Sequence, residues 1–213
     1  MDKFASLGAL LFLVTAAHAE TTTFYINDAS RRDIVTFTSK APLETVVGRT
    51  AQIKGYVSFE PTDISGTAQA EIEVDLASLD TGIGLRNKHM REQYLETHEY
   101  PTVVFNLVKV IEASSDTLTD ATQIQLLLRG KVSLHGVEKD VTVPVTVRYI
   151  KESSETKSRH PGDLMQITSK FDLLLSDFSI RRPQFIILQL DDRQEIYIDV
   201  YASTKLPAVT FAQ

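Results

Sequence analysis

The chain has 213 residues and a formal net charge of −6, from 22 Lys and Arg against 28 Asp and Glu. This length is sufficient to bury a substantial core, and the acidic balance argues against a basic patch that binds nucleic acid or an anionic membrane. Cysteine is absent, which excludes disulfides, thiolate metal sites and thiol redox chemistry.

The first 19 residues have the pattern of a secretory signal peptide. Lys3 gives a positive start, residues 4–14 are apolar, and Ala17-His18-Ala19 forms a small-x-small cleavage site before Glu20. The segment is too short for a membrane span, and it lacks the polar face of a buried N-terminal helix. We therefore expect residues 1–19 to be removed on export, leaving 20–213 as one soluble domain without an integral membrane anchor.

From Thr23 onward, apolar and polar residues alternate, as they do in strands with one buried and one exposed face. Alternation of this kind is typical of antiparallel sheets. It predicts strands at 34–38, 51–59, 71–76, 103–107, 124–134, 141–149, 167–175 and 196–200.

One segment, 81–96, breaks the alternation and predicts a short amphipathic helix between strands. We expect Leu85, His89 and Met90 to face the interior, with His89 partly buried and Arg86 near the rim. Arg86 would then pair with Asp80 or a strand carboxylate, or contact a ligand directly.

Eight or nine strands with one helical insertion predict an all-β fold, an antiparallel barrel or a sandwich. Eight strands enclose a space that side chains fill or that holds one small ligand. Alternation does not distinguish these outcomes, because a packed core and an apolar cavity require the same inward-facing residues.

Motifs for catalysis or metal binding are missing from the sequence. The histidines after residue 19 form neither an HxH nor an HExxH spacing, so His135 is expected to have a surface or capping role. There is no GxSxG elbow and no Gly-rich phosphate loop. We therefore predict a protein that is not an enzyme and requires no cofactor.

A series of short motifs runs in order from about residue 35 to 200. The motifs are GRT at 48–50, GYVSF at 55–59, SLDTG at 78–82, RNKHM at 86–90, EYPTVVF at 99–105, GKVSLHGVEK at 130–139 and SDFSI at 176–180. Together they resemble the YceI-like periplasmic proteins, a polyisoprenoid-binding family with a lipocalin-like barrel. Asn87 stands where that family's R-D-x-H-L motif has an acid, so an ion pair that the acid would make is not expected. Ser179 stands where its S-D-F-G-I element has glycine, so the backbone there must tolerate a side chain.

The resemblance implies an antiparallel eight-stranded (or nine-stranded) barrel with a long apolar channel, located in the periplasm or outside the cell. It implies binding of a long isoprenoid-type lipid, such as a quinone or a prenyl lipid, for transport, storage or stress response. Arg86, His89 and Arg181 are the candidates for a headgroup or rim contact. Strand parity supplies the candidate lining: Phe37, Val57, Phe59, Val74, Leu76, Phe105, Leu107, Leu126, Leu128, Val143, Val145, Phe171, Leu173 and Ile198.

Two alternatives stay open at this stage. In the first, the barrel is filled by its own side chains and the protein is a structural or stress-related interaction protein. In the second, it is an enzyme that acts on a lipid headgroup through Arg86 and His89. The preferred partner is an apolar lipid rather than nucleic acid, and the sequence is compatible with a homodimer.

Overall fold

The computed structural model describes residues 20–28, 31–158, 160–185 and 188–205, so the expected signal peptide lies outside the described residues. Within the described part, short helices and helical turns connect twelve strands. The strands are β1 (Thr22–Ile26), β2 (Ile34–Ala41), β3 (Glu44–Thr50), β4 (Ile53–Phe59), β5 (Gln69–Asp75), β6 (Thr102–Ala113), β7 (Gln123–Leu134), β8 (Val137–Ile150), β9 (Leu164–Leu174), β10 (Gln184–Phe185), β11 (Leu188–Gln189) and β12 (Arg193–Ser203). The helices are α1 (Ile64–Thr67), α2 (Gly84–His89) and α3 (Ser154–Lys157), with 3₁₀ turns at Leu76–Ser78 and Leu175–Phe178 and a π-helical segment at Met90–Tyr94.

Eight antiparallel strands form a closed barrel in the order β1-β4-β5-β6-β7-β8-β9-β12. The barrel closes where β1 pairs with β12, Tyr25 opposite Ser203 and Ile26 opposite Ala202. The prediction of an all-β, eight-stranded antiparallel barrel with a short helical insertion is confirmed.

The β2–β3 hairpin extends this barrel. Because β1 covers only the last residues of β12, β2 pairs with the rest of that edge, from Asp199 opposite Ile34 to Gln194 opposite Ser39. Strand β12 therefore has β1 as its neighbour at one end of the barrel and β2 at the other. Alternation predicted β2 but missed β1, which has only five residues, and β3, in which Val46 is the one buried hydrophobic residue.

Two apolar clusters occupy the two ends of the barrel. At the end we call the closed end, Phe24 stacks on Phe59 with ring centroids 5.7 Å apart, and Ile64 of α1 packs beside them. At the end we call the helical end, Phe178 and Ile180 pack against side chains from the segment that follows α2. The space between the clusters is where a ligand site could form.

The helical insertion is shorter than predicted and has a different inward face. The α-helical part ends at His89 and continues as the π-helical segment. Leu85 was expected to face the interior, and this is wrong, since it is 64% exposed. The inward positions are taken by Arg86, Met90 and Tyr94, spaced four residues apart.

Two β-bulges interrupt β6. Its register with β7 shifts between Leu107 and Lys109, which leaves Val108 as the extra residue, and again at Ile111. A bulge bends its strand and changes which side chains point inward. Leu107 and Val110 therefore both face the interior although they differ in parity.

Candidate ligand-binding site

A cavity of about 310 Å³ lies inside the barrel, and its wall draws on all eight barrel strands, the β2–β3 hairpin and the helical insertion. Almost all of the wall is apolar, and Arg86 is the one charged residue among its described members. The bore is therefore not filled by its own side chains. This volume lies near the lower limit of the usual range for ligand pockets, roughly 300–1,000 Å³.

All of the candidate lining residues that were chosen by strand parity belong to this wall. Their role in binding stays a prediction, but their position is that of a continuous apolar lining. These residues are Phe37, Val57, Phe59, Val74, Leu76, Phe105, Leu107, Leu126, Leu128, Val143, Val145, Phe171, Leu173 and Ile198.

The three predicted rim residues do not lie together. Arg86 lines the cavity, whereas His89 is half-buried and Arg181 is exposed, and neither of these two belongs to the wall. The inward face of the insertion runs through Arg86 and Met90, which leaves His89 outside it. An Arg86–His89 pair facing the cavity is therefore not present.

Strand parity missed the parts of the wall that come from irregular segments. Met90 and Tyr94 come from the insertion, and Phe178 comes from the turn after β9. Ser39 and Gln194, which are cross-strand partners, add a polar pair at the helical end. Ser39 continues the alternation of Val35 and Phe37 along β2, so its inward position could have been inferred from the sequence.

The guanidinium of Arg86 is held at the helical end by an ion pair and two hydrogen bonds. Nη1 lies 2.6 Å from Oε1 of Glu44, at the start of β3. Nε donates to Oγ1 of Thr81 (2.8 Å) and Nη2 donates to its carbonyl oxygen (2.7 Å). The wall cation is therefore already neutralised, in agreement with the predicted pairing with a strand carboxylate.

The side-chain amide of Asn87 joins the start of the insertion to the loop before it. Oδ1 accepts from the backbone N–H of Thr81 (2.8 Å), and Nδ2 donates to Oδ1 of Asp80 (2.6 Å). A carboxylate at position 87 could not donate to Asp80. The N–H of Gly82 and the amide of Asn87 together hold the pKa of Asp80 below its ordinary value.

A second link joins this loop to the hairpin. Arg49, near the end of β3, and Asp80 exchange two backbone hydrogen bonds of 2.8 and 2.9 Å. Together with the Glu44–Arg86 ion pair at the start of β3, this bridge attaches the insertion to both ends of the strand. At the helical end of the barrel, polar contacts between β3 and the insertion therefore add to the strand ladder that joins β2 to β12.

His135 has a structural position rather than a surface one. Its backbone has a positive φ of 52°, and its side chain is 13% exposed. Ring nitrogen Nδ1 lies 3.2 Å from the carbonyl oxygen of Phe178, and Nε2 lies 2.9 Å from Oε2 of Glu96. The imidazole therefore connects the β7–β8 turn to two other segments of the helical end and is not part of the cavity wall.

Among the described residues, no group of three or more His, Asp or Glu side chains has the arrangement of a metal site. No helix in the same ranges has the length and apolar character that crossing a membrane requires.

Comparison with solved structures shows the same fold in several bacterial proteins. Burkholderia cenocepacia BcnA matches with a TM-score of 0.62 and 18% identity, over 84% of this chain and 99% of its own. A polyisoprenoid binding domain from Saccharophagus degradans, implicated in plant cell wall breakdown, matches with a TM-score of 0.62 and 14% identity, over 86% and 99% of the two chains. The YCEI protein of Campylobacter jejuni matches with a TM-score of 0.55 and 13% identity, over 97% and 100%.

At these identities the likeness establishes the fold alone. No curated protein gave a significant sequence match. The model of the YceI-like domain, in contrast, matches residues 18–202, which is most of the sequence. With the closed eight-stranded barrel and its apolar cavity, this match confirms the resemblance, and the chain belongs to the YceI-like family.

Proposed function

We propose that this protein is an exported binding protein that encloses a long, apolar isoprenoid-type lipid in its barrel. The observation that carries the proposal is the cavity of about 310 Å³ with an almost wholly apolar wall. The polyisoprenoid-binding domain from Saccharophagus degradans has the same fold and supports the same class of ligand. Residues 1–19 support export, and the family supports a periplasmic location.

The energetics of the wall favour a hydrocarbon chain over a polar ligand. Each isoprene unit has five carbons, and burial contributes about 0.8 kcal/mol per CH₂, so each unit contributes several kcal/mol before costs are subtracted. A few enclosed units are enough to offset the cost of association, roughly 4–15 kcal/mol. Because an apolar tunnel responds mainly to length and bulk, we expect one tail to bind with several different heads.

The cavity also distinguishes this proposal from the packed-barrel alternative. A barrel filled by its own side chains would leave no space for a guest, whereas the space here is about twice the ~150 Å³ engineered cavity that binds benzene. The headgroup enzyme is not supported by the geometry, since His89 lies outside the wall.

Native mass spectrometry after mild purification, followed by titration with a quinone that carries an isoprenoid tail, tests the proposal. We expect a co-purified apolar mass or saturable quinone binding. The variant that tests the cavity is Ala70→Phe, because Ala70 lines the wall on β5 and a ring there fills the bore. Its matched control is Glu71→Phe, which places the same ring on the exposed face of the same strand.

The two variants separate the outcomes. Ala70→Phe should reduce quinone binding at least tenfold, and Glu71→Phe should leave it unchanged. A barrel that is repeatedly free of ligand and does not bind added quinone would contradict the proposal. An equal loss of quinone binding in both variants would show that the added ring perturbs strand β5 rather than filling the cavity. The cavity would then no longer support the proposal.

A further inference from the structure

Three buried side-chain polar atoms among the described residues have no hydrogen-bond partner: Oδ2 of Asp33, Oγ of Ser39 and Nε of Arg91. Of the three residues, only Ser39 belongs to the cavity wall. It is 1% exposed, so water does not compensate its hydroxyl from outside the barrel. A buried hydroxyl without a partner is destabilising and calls for an explanation, and a ligand in the cavity would supply the partner.

Two other polar groups of the wall are already engaged within the protein. The hydroxyl of Ser169 donates to the carbonyl oxygen of Pro144 (2.7 Å). Nε2 of Gln194 donates to the carbonyl oxygen of Asp191 (2.8 Å), which fixes this amide directly across the β2–β12 ladder from Ser39. The Ser39 hydroxyl is therefore a donor without a partner, beside a positioned polar neighbour, in a wall that is almost wholly apolar.

The charge of the wall indicates which head this donor would take. Arg86 is paired with Glu44 at 2.6 Å, and its other nitrogens donate to Thr81. A phosphate would therefore enter a low-dielectric space in which the one described cation is already neutralised, and burial of such an unpaired charge is costly. An uncharged carbonyl or hydroxyl oxygen has no such cost and accepts one hydrogen bond from a serine.

We propose that Ser39, beside Gln194, forms a polar subsite at the helical end that takes the uncharged, oxygen-bearing head of the lipid, with Ser39 Oγ donating to that oxygen. The inference rests on the proposed lipid binding and adds to it the chemical class of the head. It also sets the direction of the ligand, with the head at the helical end and the tail towards the closed end.

The test compares three probes with the same ten-carbon tail: decylubiquinone, decylbenzene and decyl phosphate, each titrated into the purified protein by calorimetry. We expect Ser39→Ala to weaken decylubiquinone binding about three- to tenfold, the loss of one neutral hydrogen bond, and to leave decylbenzene binding unchanged. Ser39→Thr, which keeps the hydroxyl, should retain most of the affinity. Ser133→Ala, on the outer face of β7, is the matched control and should bind like the wild type.

Folding is checked in the same variants. The melting temperature of ligand-free Ser39→Ala should be no lower than that of the wild type, because the substitution removes a hydroxyl without a partner.

If the wild type binds none of the three probes, lipid binding itself is wrong and the subsite with it. If it binds decylubiquinone and decylbenzene but Ser39→Ala binds both as well as the wild type does, lipid binding stands and the subsite is wrong. Tighter binding of decyl phosphate than of decylubiquinone would also overturn an uncharged head.

Discussion

The ring of Phe37 lies over Gly48, its cross-strand partner in the β2–β3 hairpin. A Cβ atom at residue 48 would come within 2.1 Å of Cε1 of that ring. The ring of Phe105 lies over Gly130 of the neighbouring strand in a similar way, although the two are not cross-strand partners, and a Cβ atom at residue 130 would come within 2.2 Å of ring Cε2. Two of the largest side chains of the wall therefore lie flat against a neighbouring strand, and this leaves the bore open.

Gly48→Ala tests this relationship. The added methyl group forces the Phe37 ring away from β3 and towards the cavity, so we expect weaker binding of a long lipid and a loss of about 1–3 kcal/mol in the free energy of unfolding. Calorimetric titration and urea denaturation measure the two effects. The double variant Phe37→Leu with Gly48→Ala should recover most of both, and a Gly48→Ala protein that binds and unfolds like the wild type would show that the ring does not need the glycine.

Ser179 is expected to be a source of strain. Its φ of 58° and ψ of 21° are left-handed values at the end of the 3₁₀ turn Leu175–Phe178, where glycine has no steric penalty. Ser179→Gly should therefore raise the free energy of unfolding by about 0.5–1 kcal/mol after the greater flexibility of the unfolded chain is subtracted. Ser179→Ala keeps the penalty and should give no gain in urea denaturation, so an equal gain in both variants would contradict the explanation.

Asp33 makes the stability of the barrel depend on pH. Its side chain is 2% exposed, and Oδ1 accepts from the N–H of Tyr201 (3.0 Å) at the point where the neighbour of β12 changes from β2 to β1. Burial raises the pKa of Asp33 from 3.8 to about 6, although the Tyr201 hydrogen bond opposes the shift. The folded state thus binds this proton more tightly than the unfolded chain does. The contribution of Asp33 to stability is most favourable below pH 3.8, falls between pH 3.8 and about 6, and stays at its lowest value above that.

Asp33→Asn should remove this dependence. We expect the variant to gain about 2 kcal/mol over the wild type at pH 7.5 and to differ little from it at pH 4, as measured by urea denaturation across the range. Asp140→Asn, at an exposed carboxylate paired with Arg129, is the control and should change little at either pH. A difference between Asp33→Asn and the wild type that is the same at pH 4 and pH 7.5 would show that Asp33 does not titrate in this window.

The Glu44–Arg86 ion pair should control the mobility of the helical insertion. Glu44→Gln leaves the half-buried guanidinium without its carboxylate, so we expect a loss of about 1 kcal/mol or less and several-fold faster amide hydrogen exchange in Gly84–Tyr94. Exchange in β7 and β8 should not change. Glu138→Gln breaks an exposed pair with Lys131 of the same length, 2.6 Å, and should leave exchange in the insertion unaltered. If it accelerates exchange there as much as Glu44→Gln does, the effect is not specific to the insertion.

Alternation along the chain was sufficient to predict the regular part of the wall. Phe105 and Val143 face inward because neighbouring residues of a strand must point to opposite faces, a local property that is visible in the sequence. The same argument missed β1, although Phe24 of that strand is fully buried, because five residues give only a weak alternation signal. Such a short segment also does not show which strands it will pair with. Closure of the barrel depends on the pairing of β1 with β12, which is distant in the sequence.

The inward face of the insertion and the presence of a cavity could not be predicted in this way. Leu85 is the more apolar residue, yet Arg86 faces the cavity, since Glu44, 42 residues away along the chain, receives its charged end. Whether inward side chains meet or leave a space depends on ring orientations such as that of Phe37 over Gly48. Those are three-dimensional contacts between strands, and alternation records only the face on which a residue lies.

The change of neighbour along β12 has a consequence for how this family could diversify. The circumference at the closed end is determined by β1, whereas at the helical end it is determined by the β2–β3 hairpin and the insertion attached to it. Lengthening or shortening that hairpin would change the diameter of the helical end and leave the closed end unaltered. Under the proposed lipid binding, ligands of different bulk would then require a change in the hairpin and the insertion alone, not in the strands that close the barrel.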